Sequence, residues 1–386
     1  DLKRFALAGP VTPDHVIRTK PRPLILAAPE VGKLDAFRAD ANKAVAKYAS
    51  DYVGYFTRNN QRLGGIKTQL DPMPRVILVE GVGLFGLGAS SGAASVAADL
   101  AETTLRVIAD AERLGKFRSI SEARIFDMEY WSLEQAKLGK GVEKKLARQV
   151  VAVTGGASGI GAAAAKAFAA EGAAVAILDL HPGRNGITCD VTDPKSVKKA
   201  FDAICKRFGG LDIVVSNAGI FRTGANVETL SDEDWDDILA VNLSSHRKLI
   251  KQAVPYLRHG VNPGIVIIGS RNVAAPGAGA AAYSVSKAGL TQLMRVVALE
   301  LAPEGVTVNA VHPDAVFDTR LWTPEALATS AARYGLTVEA YKTRNLLKAE
   351  IRSRDVARAV ATFVDGTLPA TTGAQLPVDG GNDRVI

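Results

Sequence analysis

The chain is poor in cysteine, methionine and aromatics, with two Cys, three Met and only 6% Phe, Trp and Tyr in 386 residues. Cys189 and Cys205 build neither a disulfide framework nor a zinc set, and so point to a reducing compartment. No stretch of about 20 apolar residues runs without a charge or a breaker, which excludes a membrane span. No long polar tract occurs, which excludes disorder for most of the chain. Like charges never form a block. The net charge of +7 comes mostly from the first part, with 22 basic against 17 acidic residues up to Leu146 and 25 against 23 beyond it. The densest basic patch, 137–148, is expected to be a solvated linker helix rather than a nucleic-acid surface. Asp1 stands in place of Met with no signal-peptide pattern near it, so the chain is expected to begin inside a longer gene product that stays in the cytoplasm. The partner expected is a small-molecule substrate, with no nucleic acid and no membrane.

What is present is 47% hydrophobic residues and 36 glycines. The length predicts two or three domains. Residues 1–30 carry five prolines, too many for regular structure. Helical spacing then runs from Lys33 to about Asn60, with Leu34, Phe37, Ala44, Val45, Tyr48 and Tyr52 on one face. A buried strand is expected at Arg75–Glu80, followed by helices at about Ser91–Leu114 and Ser121–Leu138. Beyond Arg148 strand-like and helical runs alternate. The strands are Val150–Thr154, Ala173–Asp179, Leu211–Ser216, Ile265–Ser270 and Val306–Val311. The helices are 159–171, 194–208, about 231–258, about 280–302 and 354–364. Such alternation predicts an α/β fold, a Rossmann-type doubly wound parallel sheet. The boundary is placed at about residue 146, giving domains 1–146 and 147–386.

Thr154 to Gly161 lies between a strand and a helix. Gly155, Gly159 and Gly161 let the backbone turn tightly and bring its amides close to a pyrophosphate, with Ser158 and Ile160 at the helix start. Asp179 ends the next strand, where a carboxylate accepts hydrogen bonds from ribose hydroxyls and repels a 2′-phosphate, so NAD is the expected cofactor. Tyr283 and Lys287 are four apart on a helix and share a face. A tyrosine with an ordinary pKa of about 10 needs such an ammonium to serve as a base.

Together these segments resemble the classical short-chain dehydrogenase/reductase family. The matching pieces are Thr154–Gly161, Asp190-Val191, Asn217-Ala218-Gly219, Asn242, Ser270, Tyr283 with Lys287, and Val378-Asp379-Gly380-Gly381. The resemblance implies that Tyr283 is the acid/base and that Lys287 lowers its pKa and holds the nicotinamide ribose. It also implies that Ser270 holds the reacting oxygen and that Asn242 supports a proton-relaying water. Asp190 and Val191 would face the adenine, Asn217 to Gly219 the cofactor floor, and Pro313, Val316 and Thr319 the nicotinamide side. Asp314 stands where the family usually has a flexible glycine. The stretch 316–350, with Leu321, Trp322 and Tyr334, would close over substrate. Homo-oligomers, commonly tetramers, are implied as well.

Before the boundary, Thr12 to His15, Val79 to Gly83 and Glu129 to Glu134 resemble the later part of a class II aldolase/adducin-like domain. The whole chain resembles the C-terminal part of fused rhamnulose-1-phosphate aldolase/short-chain dehydrogenases, whose dehydrogenase half is associated with oxidising lactaldehyde. Polyol or sugar oxidation is the alternative, and a carbon–carbon lyase would need a metal site upstream. Aldolases of this type bind zinc through three histidines, two of them as His-x-His. None of the histidines at 15, 181, 246, 259 and 312 makes such a pair, and Val82 occupies the place of the third ligand. No metal site is expected in this chain.

Overall fold

The computed structural model describes residues 2–136, 143–222 and 225–382. It divides into two compact units, Asp1–Glu143 and Lys144–Ile386. Leu146, expected to close the first domain, is fully buried in the second unit against Val151, Phe168 and Ile213.

In the first unit, strands β1 (Leu24–Leu26), β2 (Val76–Val79) and β3 (Gly83–Gly86) form one sheet. β1 runs parallel and β3 antiparallel to β2. The proline-rich start is more regular than its composition suggests. It holds helical turns at Leu2–Ala6, Pro13–His15 and Val16–Thr19 as well as β1, because Pro13 occupies the first position of its turn, where no amide donor is needed. Helix α1 (Leu34–Arg62) buries Tyr52, Tyr55 and Asn59 rather than the face that begins at Leu34, which is exposed. Helices α2 (Ser91–Leu114) and α3 (Glu122–Glu129) follow, and a separate short helix at Ser132–Ala136 replaces the end of the single one expected. Lys137 and Leu138, and with them part of the basic patch, lie outside the described residues. Residues 145–148 of that patch form a turn, not a helix.

The second unit is a seven-stranded sheet, parallel throughout. Its strands are β4 (Val150–Thr154), β5 (Ala174–Asp179), β6 (Ile187–Thr188), β7 (Ile213–Ser216), β8 (Gly264–Ile268), β9 (Thr307–Pro313) and β10 (Gln375–Val378), in the order β10-β9-β8-β7-β4-β5-β6. β4, β7 and β8 are buried on both faces, which their runs of Val and Ile anticipate. One face carries α4 (Gly159–Ala170) and the other α5 (Pro194–Phe208). α5 has a complete set of stop and start signals: Asp193 accepts from the Lys195 and Ser196 amides at 2.9 and 3.2 Å, Pro194 follows, and Gly209 ends it with φ 85°.

The chain leaves β4 toward β5 on one side of the sheet and returns to pair β7 on the other. The carboxyl ends of β4 and β7 therefore make the crevice where doubly wound sheets bind ligands.

One expected helix is interrupted. Instead of a continuous run over about 231–258, α6 (Asp232–Leu239) and α7 (Ser245–Leu257) are joined by a π-helical turn, Ala240–Ser244. Such turns re-aim a helix and gather at functional sites.

Candidate active site

A cavity of about 560 Å³ opens at this crevice. Gly155 turns with φ +61°, and a Cβ on Gly161 would stand 2.2 Å from the Gly155 carbonyl oxygen, so neither position admits a side chain. Ser158 caps α4 with no side-chain hydrogen bond to the helix, leaving its hydroxyl available beside the helix amides. Gly155, Ser158, Gly159 and Ile160 all line the cavity. Gly161 does its work from behind, by letting α4 pack against the turn.

The next loop is tied to this one. Thr154 Oγ1 accepts from the Asn217 and Ala218 amides at 2.9 and 3.1 Å, and Asn217 Nδ2 donates to the Thr154 carbonyl at 2.8 Å. His246 on α7 completes the brace. Ser216 Oγ lies 2.6 Å from His246 Nδ1, while Nε2 lies 3.1 Å from the Ala218 carbonyl and must donate to it. Burial, with the Lys287 charge added, pushes His246 down to about 3, so it remains neutral and keeps both bonds. Neither Ser216 nor His246 was singled out by sequence, where an isolated histidine on a helix carries no signal.

At the far end of the cavity, Asp179 accepts from the Ala157 amide at 3.1 Å and the His181 amide at 3.0 Å. These bonds fix its carboxylate at the rim of the glycine turn. Asp190 has one oxygen held by the Thr192 amide and hydroxyl, at 2.8 and 2.7 Å, which keeps its carboxyl below the usual range. Val191 lines the wall beside it.

Helix α8 (Ala281–Leu301) places Tyr283 and Lys287 one turn apart. The Lys287 Nζ stands 5.8 Å from the Tyr283 ring centre and donates to the Ile268 carbonyl at 2.8 Å. Burial pushes this ammonium down to about 8. Tyr283 is held above its ordinary range by burial, against which its hydrogen bond with Ser270 works. Phe221 meets the Tyr283 ring edge-on at 4.6 Å and fixes its plane. Ser270 Oγ also accepts from the Asn272 amide at 3.1 Å, and His312 Nδ1 lies 3.2 Å from the Ser270 amide nitrogen.

Asn242, like Gly161, lies behind the cavity wall, and it is fully buried. Its side-chain amide is spent on Ile220, accepting from the amide and donating to the carbonyl, both at 2.8 Å. The side chain thus holds the loop after β7 in place.

Pro313, Val316 and Thr319 line the cavity. Thr319 sits over the glycine turn, since a Cβ on Gly159 would be 3.2 Å from its methyl. Asp314 needs none of the freedom of the glycine it replaces, because its φ is not positive. It pairs instead with Arg271 at 2.8 Å, with both side chains largely buried, and accepts from Asn382. Phe317, Trp322 and Tyr341 cluster at 5.1–6.1 Å, so Trp322 serves both packing and cavity wall.

Two family models match. The one described as enoyl-(acyl carrier protein) reductase covers residues 155–383, more than half of the chain. The chain belongs to the short-chain dehydrogenase/reductase family. The other model, aldolase class II, second domain, covers residues 1–138. The Bacillus subtilis protein named uncharacterized oxidoreductase YuxG is 34% identical over 97% of this chain, and the chain spans 57% of that relative's length. The (-)-isopiperitenol/(-)-carveol dehydrogenase of Mentha piperita is 34% identical over 62% of this chain and 94% of its own length. Among solved structures, the aldohexose dehydrogenase of Thermoplasma acidophilum superposes with a TM-score of 0.56 at 33% identity, covering 62% of this chain and 95% of that one. Among the described residues no group of three His, Cys, Asp or Glu is placed to hold a metal, and no helix is long and apolar enough to cross a membrane.

Proposed function

We propose that this dehydrogenase transfers hydride between a small hydroxy-aldehyde or alcohol and NAD, with lactaldehyde, oxidised to lactate, as the first compound to test. The observation that carries it is the convergence of Ser270, Tyr283 and Lys287 on a cavity that continues into the glycine turn. When bound, the oxidised nicotinamide supplies the hydride acceptor. The Tyr283 phenolate takes the proton from the hydroxyl of an alcohol or an aldehyde hydrate. Ser270 donates a hydrogen bond to that oxygen, and the Lys287 ammonium stabilises the phenolate. The test is NADH formation with L-lactaldehyde beside a panel of sugars and polyols. Turnover confined to the panel would leave the site standing and remove lactaldehyde. Sugar oxidation is a second proposal, favoured by the likeness to the aldohexose dehydrogenase.

The preference for NAD rests on Asp179, whose carboxylate would face the ribose hydroxyls and repel a 2′-phosphate. Asp179→Ser is expected to lower the NAD/NADP ratio of kcat/KM by about one to two orders of magnitude. An unchanged ratio in paired kinetics would place the discrimination elsewhere.

The pH profile follows from the same pair. Oxidation rises with pH as Tyr283 loses its proton. At high pH Lys287, whose pKa burial lowers, sheds the charge that favours the phenolate. Lys287→Met raises the tyrosine pKa, so the rise moves to higher pH and turnover at pH 7 falls by about 10²-fold. A profile that keeps its midpoint in the variant would separate Lys287 from proton transfer.

A further inference from the structure

The wall beyond the catalytic pair holds more positive charge than the reaction needs. Arg271 is matched by Asp314. Arg320 follows Thr319 at the glycine-turn end. Arg344 differs from Arg271 in its pairing and from the exposed Arg320 in its burial. It lines the cavity, is half-buried, and has no carboxylate within ion-pair distance among the described residues. Its guanidinium lies 4.6 Å from the ring centres of both Tyr334 and Tyr341, which stack on each other at 5.7 Å. A guanidinium resting over aromatic rings retains N–H groups to donate, in a fork that matches a carboxylate or a phosphate. Arg333 ends helix α9 (Pro324–Arg333), lines the same cavity and likewise has no carboxylate partner among the described residues.

We propose that Arg344 forms an anion subsite, so that the preferred substrate carries a carboxylate or phosphate ester away from its reacting hydroxyl or carbonyl. This rests on the oxidoreductase function proposed above and refines its substrate class, placing an anion-bearing hydroxy-aldehyde or alcohol above lactaldehyde itself. Association would also be helped by the positive field, which concentrates anions in the cavity.

The experiment compares matched pairs as substrates for the whole chain: glyceraldehyde 3-phosphate with glyceraldehyde, and succinate semialdehyde with butanal. At least one anion should exceed its neutral partner in kcat/KM by about tenfold or more, mainly through KM. The pair that shows it tells phosphate from carboxylate. Arg344→Met should erase that excess while leaving the neutral partner and the KM for NAD within about twofold. Neutral partners preferred in both pairs, or equal losses for charged and neutral partners in the variant, would overturn the subsite.

A second measurement does not depend on turnover. Inorganic phosphate and succinate are titrated calorimetrically into the protein saturated with NADH. Binding of one of them that disappears in Arg344→Met supports the subsite even if no aldehyde or alcohol is oxidised, in which case the oxidoreductase assignment alone fails. Absence of binding by both overturns the subsite whatever the kinetics.

Discussion

Tyr283→Phe is expected to lower turnover by about two to four orders of magnitude while NAD still binds. The substitution removes one oxygen atom. The ring keeps its edge-on contact with Phe221 at 4.6 Å, and Lys287 keeps its bond to the Ile268 carbonyl at 2.8 Å, so neither helix nor cofactor wall has reason to move. Ser270 loses its phenol partner but retains the Asn272 amide. The loss therefore falls on kcat, because the missing group acts only when the substrate proton moves. Stopped-flow hydride transfer and a cofactor titration read the two quantities separately. Full turnover in the variant would remove Tyr283 from the chemistry, and weakened cofactor binding would make it a structural residue.

Glu129→Ala should destabilise the first unit by about 3–5 kcal/mol. Glu129 is fully buried, and its carboxyl is surrounded by donors: Tyr52 at 2.7 Å, Tyr55 at 3.0 Å and Lys20 at 3.5 Å. Burial raises the carboxyl's pKa, while Lys20 and the two phenols oppose that shift. Lys20 is itself nearly buried and pushed down to about 8, lies 3.8 Å over the Tyr52 ring, and adopts φ 67°, which is strained for a residue other than glycine. Truncating Glu129 strands this ammonium and the Tyr55 hydroxyl in the core formed by Tyr52, Tyr55, Phe126 and Tyr130, and leaves Tyr52 only its bond to the Tyr130 hydroxyl at 2.8 Å. Chemical denaturation of the whole chain should show an early transition assigned to the first unit, with the second unit's transition unmoved. A loss below about 1 kcal/mol would mean that the network contributes little beyond packing.

The second unit was legible because its signals are local. Val150–Thr154, Pro194–Phe208 and the glycine turn state their conformation through β-branched runs, capping residues and positions that exclude a Cβ. The Tyr283–Lys287 pair needs only helical spacing. Strands β6 and β10 were not legible: one is two residues long and the other is the tetrapeptide Gln375–Val378 containing a proline, so each exists through pairing with a neighbour rather than through its own pattern. The π-turn at Ala240–Ser244 is hidden for a related reason. What makes it useful is the bond from Asn242 to Ile220, 22 residues away, and no periodicity in either segment announces that contact.

Local sequence pattern is enough to read the doubly wound sheet, the glycine turn and the residues proposed for proton transfer, because each depends on spacing within one element. The folded chain alone reveals that Asn242 braces a loop, that Asp314 neutralises Arg271 and that Arg344 has no carboxylate partner among the described residues of the cavity wall. Those outcomes depend on which side chains from distant segments meet, and charge pairing in a low-dielectric wall is settled by that meeting alone.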